Sequence, residues 1–95
     1  MERAGSPRLL LYGRPGCHLC HDLLEIAAPI AKRLSLGLAE VDVSGHDDLE
    51  ARYGADVPVL VLDRGEEIVE IARHRASDRE LASRLSKACK EIPSS

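Results

Sequence analysis

The sequence predicts an α/β fold with one four-stranded mixed sheet and helices on both faces. Apolar runs typical of strands alternate with segments of helical periodicity along the 95 residues. One helical segment separates the first two strand patterns, as in a β-α-β unit, and a short turn joins the last two before a final helix. A β-α-β unit followed by a β-β-α unit can form a single sheet of this kind.

The first strand is predicted from Arg8 to Gly13, because a continuous apolar run indicates burial on both faces. A helix follows from about His18 to Leu34, where apolar side chains recur at helical spacing. Pro29 is expected to kink this helix, since proline lacks an N–H group and crowds the preceding turn. Gly37 is expected to end it.

The second strand is predicted from Leu38 to Val43, where apolar and polar side chains alternate. A short helix follows at Leu49 to Tyr53. Asp47 and Asp48 precede it, where carboxylates interact favourably with the helix dipole, and Gly54 is its expected C-terminal stop.

The third and fourth strands are predicted at Val57 to Leu62 and at Glu66 to Ala72, joined by a tight turn at Asp63 to Gly65. These two strands should pair as an antiparallel hairpin. Ser77 to Glu80 has the pattern of a capping box, which predicts the start of a last helix ending near Glu91.

Composition limits the classes of function. A chain with 44% hydrophobic residues suits one small domain, which we place at residues 8–91, between a flexible N-terminus at 1–7 and a tail at 92–95. A net charge of -3 gives no basic stripe for nucleic acid. Because neither a secretory leader nor a membrane span is visible, we expect a cytoplasmic protein with no membrane partner. We also expect a monomer.

Cys17 and Cys20 form a Cys-x-x-Cys pair where the first strand meets the first helix. An odd count of three cysteines, with one close pair, indicates redox or metal chemistry rather than a disulfide scaffold. At a helix N-cap, Cys17 would meet unpaired backbone N–H groups and the positive end of the dipole, which both favour the thiolate. The thiolate attacks disulfides, and a second thiol nearby resolves the product, so we predict thiol–disulfide chemistry.

Three other interpretations of the pair stay open. Cys17 to His21 also fits the Cys-x-x-Cys-His motif for c-type haem, although the only methionine is Met1. The pair could pack as two small apolar groups, as we expect for Cys89 on the apolar face of the last helix. Structural zinc would need two more ligands from a scattered set, His18, His21, His46, His74 and Cys89.

The segment from Leu11 to Cys20 resembles the strand–loop–helix start of glutaredoxins, and Val57–Pro58 with the strand after it resembles their Val-Pro segment. The resemblance runs from about Arg8 to Ala88 and is greatest to small bacterial glutaredoxin-like proteins of the thioredoxin-fold superfamily. It implies a thioredoxin-like fold and a protein disulfide oxidoreductase of cell redox homeostasis, with Cys17 as nucleophile and Cys20 as resolving thiol.

The resemblance also implies a substrate site. Val57–Pro58 would be a cis peptide beside the cysteines, where the Val57 backbone could pair with an extended thiol substrate. Arg14 matches a basic residue that promotes thiolate formation and binds a glutathione carboxylate, and His18 could stabilise the thiolate. The implied partners are a disulfide-containing protein or small-molecule thiol and a thiol reductant or reductase. We expect no bound cofactor, with glutathione as the candidate reductant or co-substrate.

Two departures from the glutaredoxin pattern argue against glutathione. Asp56 replaces the usual Thr before Val-Pro, and Ile68 to Glu70 stands where a Gly-Gly pair would fall. A carboxylate would repel glutathione, and the missing glycines would block close backbone approach. The alternative function is a binding module with little turnover, which holds a metal or an iron–sulfur cluster through Cys17 with a second subunit.

A small basic cluster precedes the last helix. We expect it to be either a solvated face or a docking surface for an acidic partner. Ser77–Asp78 is similar to a Ser/Thr-Asp contact of glutaredoxins, but capping of the helix is enough to explain it and is the favoured interpretation. The members of the cluster are Arg73, His74, Arg75 and Arg79.

Overall fold

The computed structural model describes residues 7–65 and 67–90. The elements follow the predicted order β-α-β-α-β-β-α, which is confirmed. No helix in these two ranges is long and apolar enough to cross a bilayer. The elements are β1 (Arg8–Gly13), α1 (His18–Arg33), β2 (Gly37–Asp42), α2 (Asp47–Tyr53), β3 (Val59–Asp63), β4 (Ile68–Arg73) and α3 (Asp78–Lys90).

The four strands form one mixed sheet in the order β2-β1-β3-β4. β1 pairs in parallel with β2 and antiparallel with β3, and β3 pairs antiparallel with β4. Gly13 is opposite Asp42, Tyr12 is opposite Val59, and Val59 is opposite Arg73. These pairs bring four strand ends to one edge, which we call the cysteine end because the loop to α1 leaves β1 there.

The two faces of the sheet carry different layers. Leu9 and Leu11 of β1 pack with α1 and α3, whereas Leu10 and Tyr12 pack on the opposite face beside α2. This alternation follows from the two-residue period of a strand and explains why β1 reads as a continuous apolar run. The predicted α/β fold with helices on both faces is confirmed.

The end of α1 differs from the prediction. Ser35, not Gly37, leaves the helix with a positive φ of 58°, and Gly37 is the first residue of β2. The Leu36 N–H donates to the Ala31 carbonyl and the Ser35 N–H donates to the Lys32 carbonyl, which is a Schellman ending. α1 runs uninterrupted through Pro29, whose side chain is exposed.

The other predicted boundaries shift by a few residues. β3 begins at Val59 rather than Val57, and β4 begins at Ile68. The capping box is confirmed, because the Glu80 N–H donates to Ser77 Oγ and the Ser77 N–H donates to Glu80 Oε1, both at 3.1 Å. The predicted strand start at Glu66, the helix end near Glu91, the flexible segment 1–6 and the tail lie outside the described residues.

Candidate active site

Cys17 occupies the N-cap of α1, as the sequence predicts. Its backbone is extended, and the Cys20 N–H donates to its sulfur at 3.1 Å. The two sulfur atoms lie at disulfide distance, with the Cα atoms 5.2 Å apart. The first turn of α1 carries no acidic residue, so the helix end keeps its positive partial charge. This geometry favours negative charge on the Cys17 sulfur over negative charge on the Cys20 sulfur.

Gly13, predicted only as the end of the first strand, is part of the site. It is buried under the second cysteine: a Cβ at this position would lie 2.8 Å from the Cys20 sulfur and 3.3 Å from Cys20 Cβ. A Cβ atom this close to the sulfur would clash with it. A glycine is therefore required here for close packing of β1 against α1. The signal in the sequence was its place directly after the apolar run.

Arg14 points to α2. Its guanidinium makes two hydrogen bonds to the Glu50 carboxylate, at 2.6 and 2.7 Å, and a third to the Gly54 carbonyl at 3.0 Å. This hydrogen-bonded pair raises the pKa of Arg14 and lowers the pKa of Glu50. Arg14 was predicted to bind a substrate carboxylate, but its guanidinium is already paired with the Glu50 carboxylate in a bidentate arrangement. Nothing in the sequence pattern singled out Glu50.

A groove runs along α1 beside the cysteines. We call it the cysteine groove; it is an open cavity of about 410 Å³, and a second cavity of about 210 Å³ adjoins it. Cys20 and Glu40 line both cavities, and Asp42 lines the second. The polar and cysteine side chains that line the cysteine groove include Arg14, Cys17, His18, Cys20, His21 and Glu40.

The Val57–Pro58 peptide bond is cis, as the resemblance implied. Pro58 is fully buried, and its carbonyl accepts the His74 N–H at 2.7 Å. Because Val59 begins β3 at the cysteine end, this bond lies at the same edge of the sheet as the cysteine loop. Asp56, one residue earlier, pairs with Arg73 at 2.9 Å and with His74 at 3.5 Å. Its carboxylate therefore contacts two basic side chains at the end of β4, and it shares Arg73 with Glu70.

The placement expected for Ile68 to Glu70 is wrong. These residues begin β4, which is antiparallel to β3, so they start at the edge remote from the cysteines. The residues that reach the cis peptide are Arg73 and His74. His74 has a positive φ of 68°, and the Arg75 N–H donates to the Arg73 carbonyl at 2.8 Å, which closes a γ-turn.

In the predicted basic cluster, Arg73 is already paired with carboxylates. Arg73 binds Glu70 through two hydrogen bonds of 2.7 Å as well as Asp56, and this pairing raises its pKa and lowers that of Glu70. Arg75 lines a separate cavity of about 260 Å³ with Asp22 and the apolar side chains of α1.

The remaining candidates are placed as follows. His18 is exposed in the cysteine groove, and His21 pairs with Glu25 at 3.1 Å. Cys89 is only partly buried and is not among the core residues, so the prediction of core packing is wrong. Within residues 7–65 and 67–90 no three His, Cys, Asp or Glu side chains are grouped so that they could hold a metal ion.

Comparison with known proteins fits this arrangement. A family model described as "Glutaredoxin-like domain (DUF836)" matches residues 8–86. Among solved structures, the chain is similar to a structural genomics target from X. campestris, with 28% identity and a TM-score of 0.65 over 83% of this chain and 96% of that one. It is also similar to a protein from Nitrosomonas europaea solved by NMR, with 24% identity and a TM-score of 0.68 over 87% and 95%.

Thioredoxins share the fold. Thioredoxin 1 from Thermosipho africanus is 21% identical, with a TM-score of 0.63 over 87% of this chain and 94% of that one. At this identity the likeness concerns the fold alone. No curated protein matches the chain.

Proposed function

The chain belongs to the glutaredoxin-like domain family, and from this premise we propose that it is a dithiol–disulfide oxidoreductase with Cys17 as nucleophile and Cys20 as resolving thiol. The observation that supports the proposal best is the position of Cys17 at the N-cap of α1, with its sulfur accepting the Cys20 N–H at 3.1 Å. A thiolate formed there is stabilised by the helix end and lies within bonding distance of the second sulfur.

The reaction consumes both thiols. The Cys17 thiolate attacks one sulfur of a substrate disulfide, forms a mixed disulfide and expels a substrate thiolate, which takes up a proton. The Cys20 thiol loses its proton and attacks the Cys17 sulfur, so that the second substrate thiolate leaves and is protonated. The protein loses two electrons to the substrate disulfide. An external thiol or reductase must reduce the Cys17–Cys20 disulfide before the next cycle.

The Val57 backbone is the second part of the proposed site. It directly precedes the cis bond and lies outside β3 at the cysteine end, the same end at which the loop that carries Cys17 leaves β1. An extended peptide could pair with this backbone while its sulfur reacts. His18 lies beside the nucleophile in the cysteine groove, where an imidazolium would add to the stabilisation of the thiolate.

Serine substitutions test the assignment. The reduced protein is mixed with bis(2-hydroxyethyl) disulfide, and the released thiol and the protein mass are followed. We expect Cys17→Ser to react no faster than a protein-free control, because a hydroxyl is not ionised at neutral pH. Cys20→Ser should stop at the mixed disulfide, seen as one added substrate thiol per chain.

Cys89→Ser is the matched control, since Cys89 lies outside the groove. It should react like the wild type. Retention of full activity by Cys17→Ser would contradict the proposal. A coloured dimer that requires Cys17, formed on anaerobic reconstitution with iron and sulfide in a protein without disulfide reductase activity, would support the cluster-binding alternative.

A further inference from the structure

In the cysteine groove the guanidinium is paired with a carboxylate, whereas one of the carboxylates has no partner among the described residues. Arg14 is the only lysine or arginine among the described residues that line the groove, and Glu50 neutralises its charge in a bidentate pair. His21, also in the groove, already contacts the Glu25 carboxylate. An anionic substrate would have to displace a carboxylate from either group before binding it.

Glu40, unlike Arg14 and His21, has no charged partner among the described residues. Within residues 7–65 and 67–90 its carboxylate forms no ion pair or hydrogen bond, and its side chain is exposed. It stands two positions after Leu38, which packs in the core on the α1 side, so Glu40 lies on that same side of β2. It lines both cavities together with Cys20. The groove therefore offers an unpartnered negative charge beside the reacting sulfurs.

Asp42 adds to this charge. It follows Glu40 on the same side of β2 and lines the second cavity. Its carboxylate accepts the Ser44 N–H at 2.8 Å, which lowers its pKa and keeps it ionised. With Arg14 neutralised by Glu50, Glu40 in the cysteine groove and Asp42 in the adjoining cavity place two negative charges on this side of β2.

We propose that Glu40 is a specificity residue that selects polypeptide disulfides with a Lys or Arg next to the reacting cysteine. The inference rests on the proposed function and names the substrate class of the same site. A cationic side chain placed in the groove gains an interaction with Glu40, and an anionic one is repelled. For partly exposed charges the expected discrimination from one carboxylate is about two- to fivefold in rate.

The test uses three disulfide-linked homodimers of blocked tetrapeptides, Gly-Lys-Cys-Gly, Gly-Gln-Cys-Gly and Gly-Glu-Cys-Gly. Their rates of reduction by the reduced protein are measured at low salt and divided by their rates with dithiothreitol, which removes the intrinsic reactivity of each disulfide. We expect the order Lys, Gln, Glu. Glu40→Gln should lower the Lys-to-Glu ratio about two- to fivefold. About 1 M salt should lower it in the wild type as well.

Glu67→Gln is the matched control, because it removes the same charge from the β3–β4 turn at the opposite edge of the sheet. It should leave the ratio unchanged. If none of the three peptides is reduced, the proposed function itself fails. If the Gln peptide is reduced but the Lys-to-Glu ratio equals that of dithiothreitol, or Glu40→Gln leaves it unchanged, the inference is overturned while the proposed function stands.

Discussion

The α1/α3 face of the sheet and the α2 face contribute differently to the site. On the α1/α3 face, fully buried leucines from β1, β3, α1 and α3 form one continuous aliphatic core. The α2 face is thinner: the residues packed from α2, Leu49 and Tyr53, are only partly buried. There the rings of Tyr12 and Tyr53 stack with centroids 4.2 Å apart, and Arg14 pairs with Glu50.

The two faces therefore control different properties of the site: one fixes the position of the sulfur atoms, and the other pairs the charge of Arg14. Cys17 is the N-cap of α1, so the aliphatic core on the α1/α3 face fixes where the sulfur atoms lie. The charge that Arg14 brings to the cysteine groove depends on the other face, because Glu50 of α2 pairs with its guanidinium. Substitutions on the first face should therefore change stability and sulfur geometry. Substitutions on the second face should change electrostatics with a smaller effect on stability.

The largest expected effect is on the α1/α3 face. Leu81→Ala removes a side chain that is 0% exposed in the core between α3 and the sheet. We expect it to lower the free energy of unfolding by about 2 to 5 kcal/mol. Leu49→Ala, the corresponding change on α2, should cost about 1 kcal/mol because that leucine is only partly buried. Urea unfolding of the oxidised proteins measures both values, and equal losses would contradict the comparison.

A second substitution tests whether the tight packing of the α1/α3 face extends to the cysteines. Gly13→Ala would place a methyl group 2.8 Å from the Cys20 sulfur, so we expect a loss of about 1 to 3 kcal/mol and slower closure of the disulfide. Gly37→Ala is the control, since its Cβ would meet only Arg8 Cβ at 3.7 Å. Its unfolding free energy should change by less than about 0.5 kcal/mol. Normal disulfide closure in Gly13→Ala would show that Cys20 can move.

Local signals in the sequence were sufficient for the elements they control. The capping box at Ser77 and the apolar run of β1 each depend on a few adjacent residues, and both were predicted correctly. The Schellman ending at Ser35 was missed because a non-glycine residue adopts the left-handed conformation there. Tertiary packing, rather than local preference, decides such a position.

Long-range pairings could not be predicted from single positions. The sequence suggested Arg14 as a substrate-binding residue, but its partner Glu50 is 36 residues away and was found only through the packing of α2. The misplacement of Ile68 to Glu70 has the same origin, because the register of β3 and β4 determines which residues reach the cis peptide. The position of Cys17 was predictable, because the N-cap of α1 lies at a strand-to-helix junction that is visible in the sequence.

The smallest expected effect is on the α2 face and depends on pH. The Arg14 guanidinium lowers the pKa of Glu50 below its ordinary value of 4.5, so the folded state releases a proton that the unfolded chain retains. The pair therefore stabilises the protein fully above about pH 4.5, and this contribution is lost as the pH falls through the lowered pKa. Glu50→Gln should show its stability deficit at pH 7, and the deficit should shrink toward pH 3.

Urea midpoints of the wild type and Glu50→Gln across this range measure the change. Glu40→Gln is the control, because Glu40 has no guanidinium partner among the described residues, and its difference from the wild type should not follow this pattern. Glu70, whose pKa is also lowered, pairs with Arg73 and remains in every variant, so its contribution cancels from the comparison. A deficit of equal size at pH 3 and pH 7 would mean that Glu50 stabilises α2 by packing rather than by charge. The proposed difference between the two faces of the sheet would then be wrong.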